Sequence, residues 1–276
     1  MALVPFPSQP QKPVPGDDPD WDDDDDVESS AESGKMSFLE HLDELRRRII
    51  YSLIAVGVGF AVAFAYIDDI FRFIMLPMKQ MLQPGQKLIF IEPTEAFMLN
   101  IWIGLMAGLL LASPVVFSQV WLFIAPGLYA HEKKLAIPFI LMSTVLFVAG
   151  TVFGHYIVFP IVWKFFVSYQ NEYLDFAPRI EPAFSMYLRL VLAMGITFEL
   201  PTIVLFLARM GMITPRFMIK NFKFAILLIT IAAAVLSPDG GGVGMFAMGG
   251  PVILLYIVSI GLAWLFGKKR EPELAE

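Results

Sequence analysis

Few side chains in this chain can ionise within its apolar stretches, and three placements could do chemistry. Glu199 is the only ionisable residue in the apolar run from Leu190 to Ala208. A charge at bilayer depth costs roughly 2.5 kcal/mol or more. A partner, a bound proton or a water-filled cavity must offset that cost. In "FLEHLDELRRRII", Glu40, Asp43 and Glu44 stand beside Arg46, Arg47 and Arg48. In "VWLFIAPGLYAHEKKLAIP", Pro126 and Gly127 break the chain, Phe123, Leu128 and Tyr129 offer an apolar surface, and Glu132 adds a single carboxylate. The functional reading of the first acidic stretch is an acidic site for a basic ligand. The plainer readings are ion pairs within one helix turn for the first acidic stretch and an interfacial anchor for the second. For Glu199 the plainer reading is a neutral carboxyl that hydrogen-bonds a neighbouring helix and only fixes packing.

Other chemistries find no support. The chain has no cysteine, so disulfides, thiolate metal sites and cysteine nucleophiles are excluded. Its three histidines, His41, His131 and His155, lie far apart and without ligand spacing. No Ser/His/Asp set and no pair of intramembrane acids is present. An enzyme is not expected, nor a metal, a cofactor or a nucleic-acid partner.

The elements that must position these groups follow from the charge-free runs. Of 276 residues, 57% are hydrophobic and 17% charged, and the apolar residues come in blocks. That pattern predicts a polytopic, all-α membrane protein. Spans are expected at Ile49–Ile67, about 98–122 with Trp121 and Phe123 near an interface, Leu135–Trp163 broken near Gly150 and ending by Pro160, about 185–208, Phe224–Leu236 and Met245–Phe266. The fifth is short, which local bilayer thinning can accommodate. Outside loops are expected at about 68–96, 164–184 and 237–244.

Six crossings put both ends on one side, and that side collects 14 of the 20 Lys and Arg residues. The excess marks it as cytoplasmic, N-in and C-in. Paired arginines, an apolar core and Ala-x-Ala also suit a cleaved signal peptide. The long acidic region before them and the full-length apolar run favour a retained first helix instead. Residues 1–34 hold ten acids and one Lys, and are expected to be a disordered Pro/Asp-rich tail. Residues 35–48, with Leu39, Leu42, Leu45 and Ile49 at helical spacing, read as a cytoplasmic amphipathic helix. Residues 49–267 form the six-helix domain, and 268–276 a short cytoplasmic tail.

The pattern "HLDELRRR … FIAPGLYAHEKKL … FGHYIVFP … FELP … LSPD" resembles TatC, the receptor subunit of the twin-arginine protein translocase, over about residues 36–266. The segments His41–Arg46 and Phe123–Glu132 carry the most specific part of the likeness. The resemblance implies a concave, glove-like bundle of six helices in a bacterial inner membrane. It implies that Glu44 and Glu132 recognise the arginine pair of a precursor's signal peptide, with Arg46 beside them and Phe123, Pro126, Leu128 and Tyr129 shaping the surface. Pro77 and Phe97 match positions at the family's outer cap, whereas Lys79 and Glu95 close by read as solvated charges. Partners implied are TatA-type and TatB-type single-helix subunits, the lipid bilayer and further copies in a multi-subunit complex.

Glu199 would be a polar station for an inserted signal peptide or a partner helix. Many relatives read Thr-Pro-Pro-Asp in the third outer loop, followed by a Gln. Here "LSPDGGGVGMF" lacks one Pro, runs into glycines after Asp239 and has Val243 in place of the Gln. The rival function is a proton-coupled secondary transporter using Glu199. A single intramembrane acid and the lack of an internal repeat weigh against it.

Overall fold

The computed structural model of the chain describes residues 38–82, 85–124, 136–174, 176–237 and 242–267. Met1–Leu45 and Arg46–Glu276 form two compact units. The first contributes only residues 38–45 to the described set, the opening turns of a helix on which Leu39 and Leu42 are exposed. The expected tail at 1–34 and the final residues 268–276 lie outside the described residues.

Helix α1 runs Phe38–Ala65. After a one-residue turn at Tyr66 comes α2, Ile67–Gln80, a short helix inside the expected first outside loop. Helix α3 spans Pro93–Ile124. Helix α4, Ala136–Phe153, passes through a π-helical segment, Gly154–Val158, into α5, Phe159–Val167. Helix α6, Ile180–Thr197, and α7, Leu200–Arg209, together make the fourth span. A six-residue helix α8, Pro215–Lys220, is capped by Thr214, whose Oγ1 accepts from the Phe217 N–H at 3.2 Å. Helix α9 is Phe222–Leu236 and α10 is Val243–Phe266. Five of these stretches are long and apolar enough to cross a membrane, and α9 is the shorter sixth. The described residues hold no β-strand, only two isolated bridges. The protein is an all-α, six-span membrane protein.

The third span differs from its sequence reading. Neither Gly150 nor Pro160 ends it; the helix continues to Val167. The π segment explains this. Its wider register, closed by the Phe159 N–H on the Gly154 carbonyl, lets Pro160 enter at the first turn of α5, where a missing N–H costs little. Gly150 is instead a packing residue. With Gly154 it forms a Gly-x-x-x-Gly stripe that lets α4 lie directly on α6: a Cβ at Gly150 would sit 2.6 Å from the Met194 carbonyl oxygen and 2.8 Å from Phe198 Cβ. Close backbone approach of this kind drives helix association where lipid is as apolar as the helices themselves.

The main core gathers side chains from α2, α3, the π segment, α5, α6, α9 and α10, among them Ile74, Met78, Ile103, Phe159, Tyr187 and Met248. A smaller cluster of Val204, Ala208, Met218 and Ala263 packs α7, α8 and α10 together. There the Tyr256 hydroxyl donates to the Met218 carbonyl at 3.2 Å.

Glu95 is not a solvated charge. Only 8% of it is exposed, and its Oε1 accepts from Arg179 Nη2 at 2.6 Å. That carboxylate raises the Arg179 pKa above its ordinary value, first through the hydrogen bond and then through charge. The pair closes over a backbone junction in which Ile89 N–H donates to Pro178 and Ile180 N–H donates to Ile89. A residue 84 positions away supplied the partner, which no local pattern could reveal.

Candidate functional site

The fourth span breaks where its one carboxyl sits. Pro201 has no N–H to donate back, and α6 ends at Thr197 in a turn over Phe198 and Glu199. The Glu199 carbonyl then accepts from Ile203 N–H at 3.0 Å, which starts α7. Glu199 stands at the N-cap of α7, but its side chain makes no capping bond. The carboxyl therefore lies near the positive end of α7 and turns to other elements.

Those elements are α4 and α7. The hydroxyls of Ser143 on α4 and Thr202 on α7 are its polar neighbours. Ser143 also accepts from the Trp121 indole Nε1 at 3.1 Å, which brings in α3. Trp121 stacks on Phe139 at 4.9 Å, and Phe206 meets Trp121 edge-on at 5.0 Å. Only 8% of Glu199 is exposed, Ser143 and Thr202 still less, and Trp121 7%. The Trp121 ring is buried by aromatic neighbours, and its N–H serves the polar cluster. Glu199 Oε1 and Thr202 Oγ1 are buried without a hydrogen bond at full geometry. The cluster thus keeps polar capacity that a further donor or acceptor could satisfy.

A second buried pair lies one helix turn beyond the Gly150 crossing. His155 Nδ1 and the Tyr187 hydroxyl are 2.9 Å apart, joining the π segment to α6, and Phe73 from α2 stacks on the imidazole at 4.4 Å.

Of the remaining residues singled out from the sequence, Glu44 and Arg46 lie on α1, and Arg46 is exposed. Phe123 is half-buried in the last turn of α3. One turn earlier, Gln119 Oε1 accepts from Arg48 Nη1 at 3.1 Å and ties α3 to α1. Pro77 is buried inside α2, while Phe97 is exposed in the first turns of α3. Pro126, Leu128, Tyr129, Glu132 and Asp239 lie outside the described residues. Sequence reasoning missed Ser143, Trp121 as a donor, and Gln119. Gln119 was open to notice, as the one long amide in an otherwise apolar second span. Ser143 was not, since one hydroxyl in an apolar helix usually serves its own backbone.

A family model described as Sec-independent protein translocase protein (TatC) matches residues 40–251. The chain belongs to the TatC family. A Koribacter versatilis protein named Sec-independent protein translocase protein TatC is 40% identical over 87% of this chain and 90% of its own length. One of the same name from Aquifex aeolicus is 36% identical over 86% of this chain and 98% of its own. A crystal structure of a twin-arginine translocase receptor, TatC, aligns with TM-score 0.71 and 36% identity, covering 82% of this chain and 99% of that one. The same receptor in the detergent DDM gives TM-score 0.73 over 83% of this chain. The family consists of protein translocase components rather than enzymes, and this member is a multi-pass membrane protein.

Proposed function

We propose that this chain is the receptor and core subunit of a twin-arginine translocase, held in a bacterial inner membrane with both ends cytoplasmic. The charge distribution supports the orientation: the ends and the loops on their side carry 14 of the 20 Lys and Arg residues. On that side Glu44 and Glu132 bind the paired arginines of a precursor's signal peptide, two carboxylates for two guanidinium groups. Arg46 orients or balances them, and Phe123, Pro126, Leu128 and Tyr129 provide the apolar wall for the peptide's hydrophobic core. Glu199 is the polar station within the membrane. It receives a deeply inserted signal peptide or the polar residue of a TatA-type or TatB-type helix. Pro77, Phe97 and Asp239 belong to the outer face, and several copies share one complex.

The observation that carries this reading is the likeness, over nearly the whole of that chain, to a solved twin-arginine translocase receptor. The test is site-specific photocrosslinking from position 132 to a twin-arginine signal peptide in membranes. A crosslink that disappears when the peptide's two arginines become lysines is expected. A crosslink indifferent to that change would remove the arginine-recognition role.

A further inference from the structure

Arg189 is exposed on α6 and makes no ion pair with a described residue. It lies ten positions beyond Arg179, about 15 Å along the helix axis, well inside the fourth span. A cation at that depth is costly unless water or an anion reaches it. Two cavities meet at this arginine. One, about 610 Å³, opens between α6 and the end of α9; Arg179, Arg189 and Ser185 give it polar character, Trp163, Phe166 and Leu236 line it with apolar surface, and no acid contributes to its wall. The other, about 470 Å³, shares Ser185 and Arg189 in its wall and carries Glu92, Glu181 and the Arg179-paired Glu95.

Helix α9 supplies the geometric reason for an anion here. Its 15 residues span about 22 Å, some 8 Å less than the roughly 30 Å hydrocarbon core. Its last residue, Leu236, and the following Ser237 line the larger cavity. The polar boundary of the bilayer must therefore dip beside α6, where a snorkelling arginine extends toward it. Arg179 at the rim is neutralised by Glu95 at 2.6 Å and lies 3.9 Å from Glu181, but its Nε is buried without an acceptor and can still donate. One exposed cation, a neighbouring guanidinium with a spare N–H, a hydroxyl and an aromatic-aliphatic wall fit one abundant membrane anion.

We propose that the cavity between α6 and α9 is a phospholipid site. Arg189 and Ser185 hold the phosphodiester, Arg179 stands at the entrance, and the glycerol and upper acyl chain rest on Trp163, Phe166 and Leu236. The site anchors one lipid of the leaflet on which α6 begins and fixes the thinned bilayer beside α9. The acids of the second cavity, Glu92 and Glu181, stand where a headgroup ammonium would reach them, so an ethanolamine lipid suits the site better than a glycerol one.

The test is native mass spectrometry of the full chain in detergent, titrated with dioleoyl phosphatidylethanolamine, phosphatidylglycerol or phosphatidylcholine. The wild-type protein is expected to retain one lipid, with ethanolamine favoured. Arg189→Gln is expected to weaken retention of all three roughly tenfold, the loss of one charge-assisted bond, while Arg209→Gln on the same span leaves it unchanged. Equal retention by wild type and Arg189→Gln overturns the proposal. So does displacement of the lipid by millimolar inorganic phosphate, which would mark a free-anion site. Loss of a co-purified single-helix subunit in Arg189→Gln with lipid retention intact overturns it in favour of a protein partner. Should Arg189→Gln not fold, Ser185→Leu, which fills the cavity beside the arginine, carries the same expectation, and unchanged retention overturns it.

Discussion

Gly150→Ala adds one methyl group at the crossing of α4 and α6, and its cost can be worked from the geometry. The new Cβ would lie 2.6 Å from the Met194 carbonyl oxygen and 2.8 Å from both Cβ and Cγ of Phe198. An ordinary contact needs roughly 0.8 Å more than the first of these, and a backbone carbonyl cannot rotate away. The two helices must part or slide, which costs about 1–3 kcal/mol by analogy with overpacked cores. The substitution also gains about 1 kcal/mol of helix propensity. Gly261→Ala isolates that gain, because a Cβ there would meet nothing within 4 Å. The two variants should therefore differ by about 1–3 kcal/mol, with Gly261→Ala the more stable. Denaturant titration of the purified protein in mixed micelles measures the difference. Because Phe198 precedes Glu199, Gly150→Ala should also displace the turn bearing the carboxyl and reduce export. Equal stability of the two variants would refute the claim that α4 and α6 touch through backbone at this point.

Three further outcomes test the buried polar groups and the cytoplasmic acids. Glu199→Gln keeps a donor and an acceptor beside Ser143 and Thr202, and should fold and bind signal peptide; Glu199→Ala should fold yet block or slow export in a vesicle transport assay, and normal export by it would leave Glu199 a packing residue only. Tyr187→Phe strips His155 Nδ1 of its 2.9 Å partner and should destabilise the protein by about 1–3 kcal/mol in the same micelle titration, whereas an unchanged midpoint would mean that the pair is not formed. Glu132→Ala should weaken signal-peptide binding by roughly 1.5–3 kcal/mol, and unchanged binding both in it and in the double variant with Glu44→Ala would end the two-carboxylate reading.

Spans were legible because lipid imposes a severe rule. Each crossing must satisfy its own backbone hydrogen bonds over some 20 apolar residues, so the stretches 49–67, 98–122 and 245–266 announce themselves as charge-free runs. The break at Glu199 was legible too, since a proline two residues on acts locally. Residue type and position also marked Glu199 as a buried acid needing a partner. Its partners were another matter. Thr202 lies three residues away on the same span, but Ser143 comes from α4 and brings Trp121 from α3. Glu95 read as solvated because nothing within its own helix neutralises it; Arg179, far along the chain, does. Glycine shows the same division. Gly150 and Gly261 are the same residue in equally apolar helices, yet one is jammed against a carbonyl and the other faces open space. Chain-local physics sets where helices start, stop and cross the bilayer. Which polar groups meet, and where a charge such as Arg189 is left exposed, depends on how the helices pack, because those contacts join positions that no sequence periodicity connects.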